Sequence, residues 1–153
     1  MNRWQHEIED AMSAFEQVAS LAAMPISRAH WGPPECWPAP HEQPGSLPSG
    51  KMAIYGFWGD GAWLKIGMVG AKSQARYTSQ HYNPGSARST IAASLANDPR
   101  MRLVAGFDPE RPGEWLKTHC HRVNILLDAK HGRPLLALLE AFLHVRLNPR
   151  YER

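Results

Sequence analysis

Glu140 stands in the middle of the most apolar stretch of a 153-residue chain, Leu135-Leu136-Ala137-Leu138-Leu139-Glu140-Ala141-Phe142-Leu143-His144-Val145-Arg146-Leu147. Apolar residues occupy nearly every azimuth of the helix this stretch predicts, so most of its sides are expected to be covered. A carboxylate there carries a desolvation cost of several kcal/mol unless it is paired, protonated or bound to a metal. The alternative is a narrow solvent-facing stripe shared with His144, four residues on.

Two further segments carry groups able to act on a phosphate or a proton. Met52–Trp58 and Ala62–Val69, separated by Gly59-Asp60-Gly61, predict a β-hairpin that contains Tyr55 and Lys65. A three-residue loop places Tyr55 opposite Lys65, phenol and ammonium on one face. A two-residue Asp60-Gly61 loop pairs Tyr55 with Ile66 and turns Lys65 to the other face. Downstream, Arg76-Tyr77-Thr78-Ser79-Gln80-His81-Tyr82 offers a cation, an imidazole and two phenols within one or two helical turns. Arginine is the usual clamp for phosphate. His119-Cys120-His121 with Cys36 lacks the paired spacing of a zinc site and reads as structural or surface residues. With two cysteines in all, a disulfide scaffold and a four-cysteine zinc module are excluded.

Several elements must hold these groups. From Arg3 to Met24, Trp4, Ile8, Ala11, Met12, Phe15, Val18, Ala19 and Ala22 recur at helical steps, and Pro25 stops the helix. Its apolar face is too large to leave wet, so it is expected to dock on the rest of the chain or to form a homodimer seam. Seven prolines between residues 25 and 48 predict an extended, irregular segment, held against the domain by Trp31 and Trp37. After the hairpin, Ser73–Tyr82 reads as a short helix ended by Pro84, and Ser86–Ala96 as a second. Met101–Phe107 reads as a strand or an extended loop, Trp115–His121 is ambiguous, and Val123–Leu127 reads as a buried strand. Pro134 suits the first position of the last helix. The order β-β-α-α-β-α describes a small α/β domain over 51–153, preceded by the helical and proline-rich residues 1–50.

Residues 1–50 hold two basic groups against six acidic ones, −4, while residues 51–153 hold fifteen against eight, +7. A basic domain behind an acidic front points to a polyanionic partner, most simply nucleic acid. With 43% hydrophobic and 20% charged residues the composition is that of a soluble globular protein. No apolar run approaches the roughly 20 residues of a membrane span. The acidic N-terminal residues Glu7, Glu9 and Asp10 do not suit a signal peptide, and the expected location is the cytoplasm.

Taken in order, Ala53-Ile54-Tyr55, Lys65-Ile66-Gly67 after a short hairpin, Arg76 on a helix and a distant helical Glu140 resemble the GIY-YIG nuclease superfamily. The resemblance runs from Lys51 to Glu152, about two-thirds of the chain. Ala75–Tyr82 followed by Ser89-Thr90-Ile91-Ala92 is similar to standalone and restriction-enzyme-like bacterial members. The resemblance implies a three-stranded antiparallel sheet flanked by helices and a metal-dependent endonuclease acting on DNA. Glu140 would bind a single divalent cation, Mg²⁺ (or Mn²⁺), Arg76 would stabilise the phosphate, and Tyr55 would help to activate the attacking water. Lys65 and His81 complete the expected catalytic set; Lys72, Tyr77, Tyr82, Arg88 and Asn148 form the expected substrate-binding set. Three positions depart from the family. Lys65 stands where its name has tyrosine, Gln80 holds the place one turn after the arginine with His81 one residue later, and Asn148 lies closer to Glu140 than the family's asparagine. The rival reading is a non-catalytic nucleic-acid-binding module on the same fold, with Lys65 as a sign of decay.

Overall fold

Asp60 and Gly61 form the tip of the central hairpin, and both have positive φ, 50° and 73°. That twist matches the right-handed twist of the strands they join, β2 (Lys51–Gly59) and β3 (Ala62–Val69). The computed structural model, which describes residues 1–85 and 90–151, adds β1 (Glu35–Trp37) and β4 (His121–Asp128). All neighbours are antiparallel, in the order β1-β4-β2-β3.

The sheet therefore has four strands where three are expected. The extra strand comes from the proline-rich segment. Glu35, Cys36 and Trp37 lie between Pro34 and Pro38, so these three residues keep the N–H groups needed to pair with Asn124, Val123 and Arg122. Proline confines the pairing to the sheet edge. The same segment also contains a helical turn, α2 (Arg28–Trp31), so it is less irregular than its composition suggests.

One helical layer covers each face of the sheet. On the first, α1 (Arg3–Leu21) and α6 (Arg133–Leu147) pack on Ile54, Ile66 and Ile125. Trp4, Ile8, Ala11, Met12, Phe15 and Ala19 of α1 are all buried in that layer. Of the two expected arrangements for this helix, docking within the chain is the one observed. The face considered as a homodimer seam is internal, and residues 1–50 share a core with the rest. On the second face, α3 (Gln74–Thr78), α4 (Ile91–Asn97) and α5 (Pro112–His119) cover Tyr55, Phe57 and Leu64. The Thr90 hydroxyl caps α4 by accepting the Ala93 N–H at 3.2 Å.

Several expected boundaries shift. Ser73–Tyr82 divides into α3 and a 3₁₀ turn, Gln80–Tyr82. The expected second helix begins at Ile91, and residues 86–89 of it lie outside the described residues. Met101–Phe107 is not a strand; its first residues belong to a 3₁₀ turn, Pro99–Leu103. Among the described residues no helix is long and apolar enough to cross a membrane.

The docking of α1 sets a clear contrast between two of its residues. Phe15 is fully buried and Leu21 is 90% exposed. Phe15→Ala is expected to cost about 3–5 kcal/mol, and Leu21→Ala less than about 0.5 kcal/mol. Urea denaturation of the two variants checks this; equal midpoints would mean that α1 is a loose appendage.

Candidate active site

β3 is the outer strand of the sheet, and residues from both helical layers meet at its edge. A cleft of about 320 Å³ lies there. Tyr55, Lys65, Arg76 and Glu140 all line it, together with Gly67, Gly70, Ser73, Arg133 and His144.

Tyr55 and Lys65 reach this edge through a β-bulge. The tip of the hairpin is a two-residue turn, with Gly59 opposite Ala62. Continued regularly, that register would pair Tyr55 with Ile66 and turn Lys65 to the other face. Instead the ladder shifts between Trp58 and Phe57, so that Phe57 pairs with Lys65 and Tyr55 with Gly67. Neither expected loop describes this: the turn has two residues, yet Lys65 shares the face of Tyr55. Lys65 is only 3% exposed.

Gly67 gives the phenol its path. A Cβ on Gly67 would lie 2.1 Å from the Tyr55 hydroxyl oxygen and 2.5 Å from Cζ. The missing side chain, and not an unusual φ, is what lets the Tyr55 ring lie across the edge strand. His81 supports the ring from behind, with centroids 4.4 Å apart.

Glu140 enters from the opposite layer. The last helix is less covered than its apolar sequence suggests. Leu135, Leu136, Leu139 and Leu143 are buried, whereas Ala137, Ala141 and Val145 face solvent, Val145 at 85% exposure. Glu140 lies half-buried on the border between these faces, at the cleft. One turn on, His144 Nε2 donates to the Ile66 carbonyl at 2.7 Å and fastens α6 to the edge strand. Among the described residues, the side chains of Glu140, Arg76 and Arg133 make no ion pair or hydrogen bond. Opposite charges thus share one cleft without closing on each other.

His81 does not line the cleft, which corrects its expected place in the catalytic set. It is 1% exposed, and the Ile91 N–H donates to its Nδ1 at 3.4 Å. Burial lowers its pKa most, and the Arg76, Lys65 and Arg122 charges lower it further, to about 2. The ring is neutral and carries its proton on Nε2.

Two expected substrate contacts are core residues. Tyr77 faces the Arg122 guanidinium at 4.9 Å, and its carbonyl accepts from Arg122 Nη2 at 2.8 Å. The Tyr82 hydroxyl donates to His41 Nε2 at 2.9 Å and accepts from Arg122 Nη1 at 3.1 Å. Both phenols answer a buried cation and are closed to a substrate. Asn148 is the left-handed cap of α6, φ 47°, and lines a different groove with Arg3, Trp58 and Trp63. Lys72 is exposed in the turn before α3, outside the cleft lining, and Arg88 lies outside the described residues.

Sequence reasoning did not assign Arg133 or Arg122. Arg133 was legible: it precedes Glu140 by seven residues and His144 by eleven, a spacing that keeps all three on one helix face. Arg122 sits in a strand of apolar residues, where nothing in the sequence marks what surrounds it. Compared with protein-family models, curated proteins and solved structures, the chain matches none.

Gly67→Ala is expected to cost about 1–3 kcal/mol by forcing the Tyr55 ring aside. In the background of Tyr55→Ala the same glycine substitution should cost much less, so a double-mutant cycle on stability measures the contact. Additive losses would deny that Tyr55 lies over Gly67.

The histidine gives a pH dependence with a definite sign. Folded His81 stays neutral down to about pH 2, whereas unfolded His81 takes up a proton near 6.5. Its contribution to stability is complete above pH 6.5 and declines by up to about 1.4 kcal/mol per pH unit below it. His81→Phe should therefore shrink the fall in melting temperature between pH 7.5 and pH 5. An equal fall in both proteins would contradict a neutral, buried His81.

Proposed function

We propose that the chain is a divalent-metal-dependent endonuclease that hydrolyses phosphodiester bonds in DNA, with a site of the GIY-YIG kind. One observation carries the reading. A phenol, two cations and a carboxylate from positions 55, 65, 76 and 140 line one cleft, and the carboxylate has no partner among the described residues. A fold that needed Glu140 only for stability would pair it with the nearby guanidinium groups. A site that takes a cation and a phosphate leaves the space between them open.

The donor set suits a hard cation. Among the described residues no three His, Cys, Asp or Glu side chains gather into a metal cage, so a zinc-type centre does not fit. Mg²⁺ takes one or two carboxylates and completes its shell with water and substrate phosphate. Glu140 would hold it. When bound, the ion would neutralise charge on the phosphate and make its water more acidic. Lys65 and Arg76 face the same space and would form charge-assisted bonds to phosphate oxygens, strengthening as negative charge develops there. Tyr55, fixed between His81 and the Gly67 backbone, would hold its hydroxyl in one orientation toward the attacking water.

Lys65 in place of the family's tyrosine favours the second reading, a nucleic-acid-binding module without catalysis. That reading leaves Glu140 unexplained, because a carboxylate facing a polyanion weakens binding.

Glu140→Gln keeps the shape and removes the charge. Cleavage of DNA in Mg²⁺ should fall about 100-fold or more. The melting temperature should hold or rise, since a half-buried unpaired charge is gone, and affinity for uncut DNA should persist or tighten. A folded Glu140→Gln protein that cuts at the wild-type rate removes Glu140 from the site.

A further inference from the structure

We infer that Arg133 binds a second phosphate of the substrate strand, beside the one that Arg76 holds at the reacting centre. This inference rests on the proposed phosphodiesterase reading and adds a residue that the family motifs do not include. Arg133 is the first residue of α6 and lines the same cleft as Glu140. It is exposed, and among the described residues its guanidinium has neither a carboxylate nor a hydrogen-bond partner. Its Nη1 lies 3.5 Å from where a Cβ on Gly70 would be, so the guanidinium sits beside the Gly70 backbone just past the end of β3.

Arg76 comes from α3 in one helical layer and Arg133 from the start of α6 in the other, so the two guanidiniums enter the cleft from opposite faces of the sheet. Tyr55 crosses the edge strand at Gly67, while Arg133 stands at Gly70, three residues on. Charge leads to the same place. Among the described lining residues, Arg76 and Arg133 against Glu140 leave one positive charge in excess before Lys65 is counted. A single phosphodiester brings one negative charge, and a bound divalent cation widens the excess. Flanking phosphates of a strand supply what is missing, and a planar guanidinium at the cleft mouth is the group suited to grip one.

The test compares wild type, Arg133→Ala and Arg133→Lys in Mg²⁺ on two substrates. One is a 20-base-pair DNA duplex; the other is p-nitrophenyl thymidine 5′-phosphate, which has a single phosphodiester. Arg133→Ala should raise KM on the duplex about tenfold with little change in kcat. The preference for duplex over the single diester should fall by the same factor. The slope of log Kd against log salt should drop by about one. Arg133→Lys should keep the slope and lose only part of the preference, which also guards against an alanine variant that folds poorly. Equal losses on both substrates would put Arg133 at the reacting phosphate or in the fold, and would overturn the inference. So would an unchanged KM with an unchanged salt slope. A wild-type protein that neither binds nor cuts the duplex would fail earlier, taking down the phosphodiesterase reading and the role of Arg133 with it.

Discussion

Between the pairs Trp58–Trp63 and Phe57–Lys65, the β2–β3 ladder contains one unmatched residue, Leu64, and the direction of every later β3 side chain depends on it. Without the bulge Lys65 would face the α1–α6 layer, where a buried ammonium would meet Ile54 and Val123. With it, Lys65 joins Tyr55, Gly67 comes to lie under the Tyr55 ring, and Leu64 fills the core of the second layer. Bulges redirect side chains at small cost to the rest of a strand. Here one inserted residue gathers the polar groups of the hairpin at the sheet's outer edge.

A second constraint acts from below. Arg122 is wholly buried, with hydrogen bonds to the Asn124 side chain, the Tyr77 carbonyl and the Tyr82 hydroxyl. Its guanidinium also faces the Phe57 ring at 5.3 Å. A buried cation is costly unless its donors are satisfied. These partners draw α3 and the following turn onto the sheet, and Tyr82 in turn bonds His41. The same charge, with Lys65 and Arg76, helps to keep His81 neutral behind Tyr55. The cleft is thus backed by a polar interior in which each phenol has its own place.

Much of this was legible because it rests on short-range patterns. Asp60-Gly61 between two aromatic and branched runs specifies a hairpin, and the helical spacing from Trp4 to Ala19 specifies a buried face. Tyr55, Arg76 and Glu140 are named together only through a family resemblance in the order and spacing of their motifs, and all three line one cleft. The bulge was not legible, since Leu64 is an ordinary strand residue and only three-dimensional pairing shows that it has no partner. Glu35–Trp37 was hidden by its flanking prolines. Tyr77 and Tyr82 looked available because a phenol near a helix surface resembles a binding group, and only Arg122, some forty residues away, shows why they are buried. The exposed face of α6 was masked by its composition, because Ala137, Ala141 and Val145 are apolar yet face solvent.

The proposed function stands on a cleft that would accept a divalent cation and a phosphate together and break the phosphodiester. Supercoiled plasmid incubated with the wild-type protein in Mg²⁺, and in parallel with EDTA, tests this most directly. Nicked or linear DNA in Mg²⁺ and intact supercoils in EDTA is the result expected. Plasmid that is retarded on a gel but remains fully supercoiled in Mg²⁺ and in Mn²⁺ would contradict it, and would leave a protein that binds nucleic acid without cutting it.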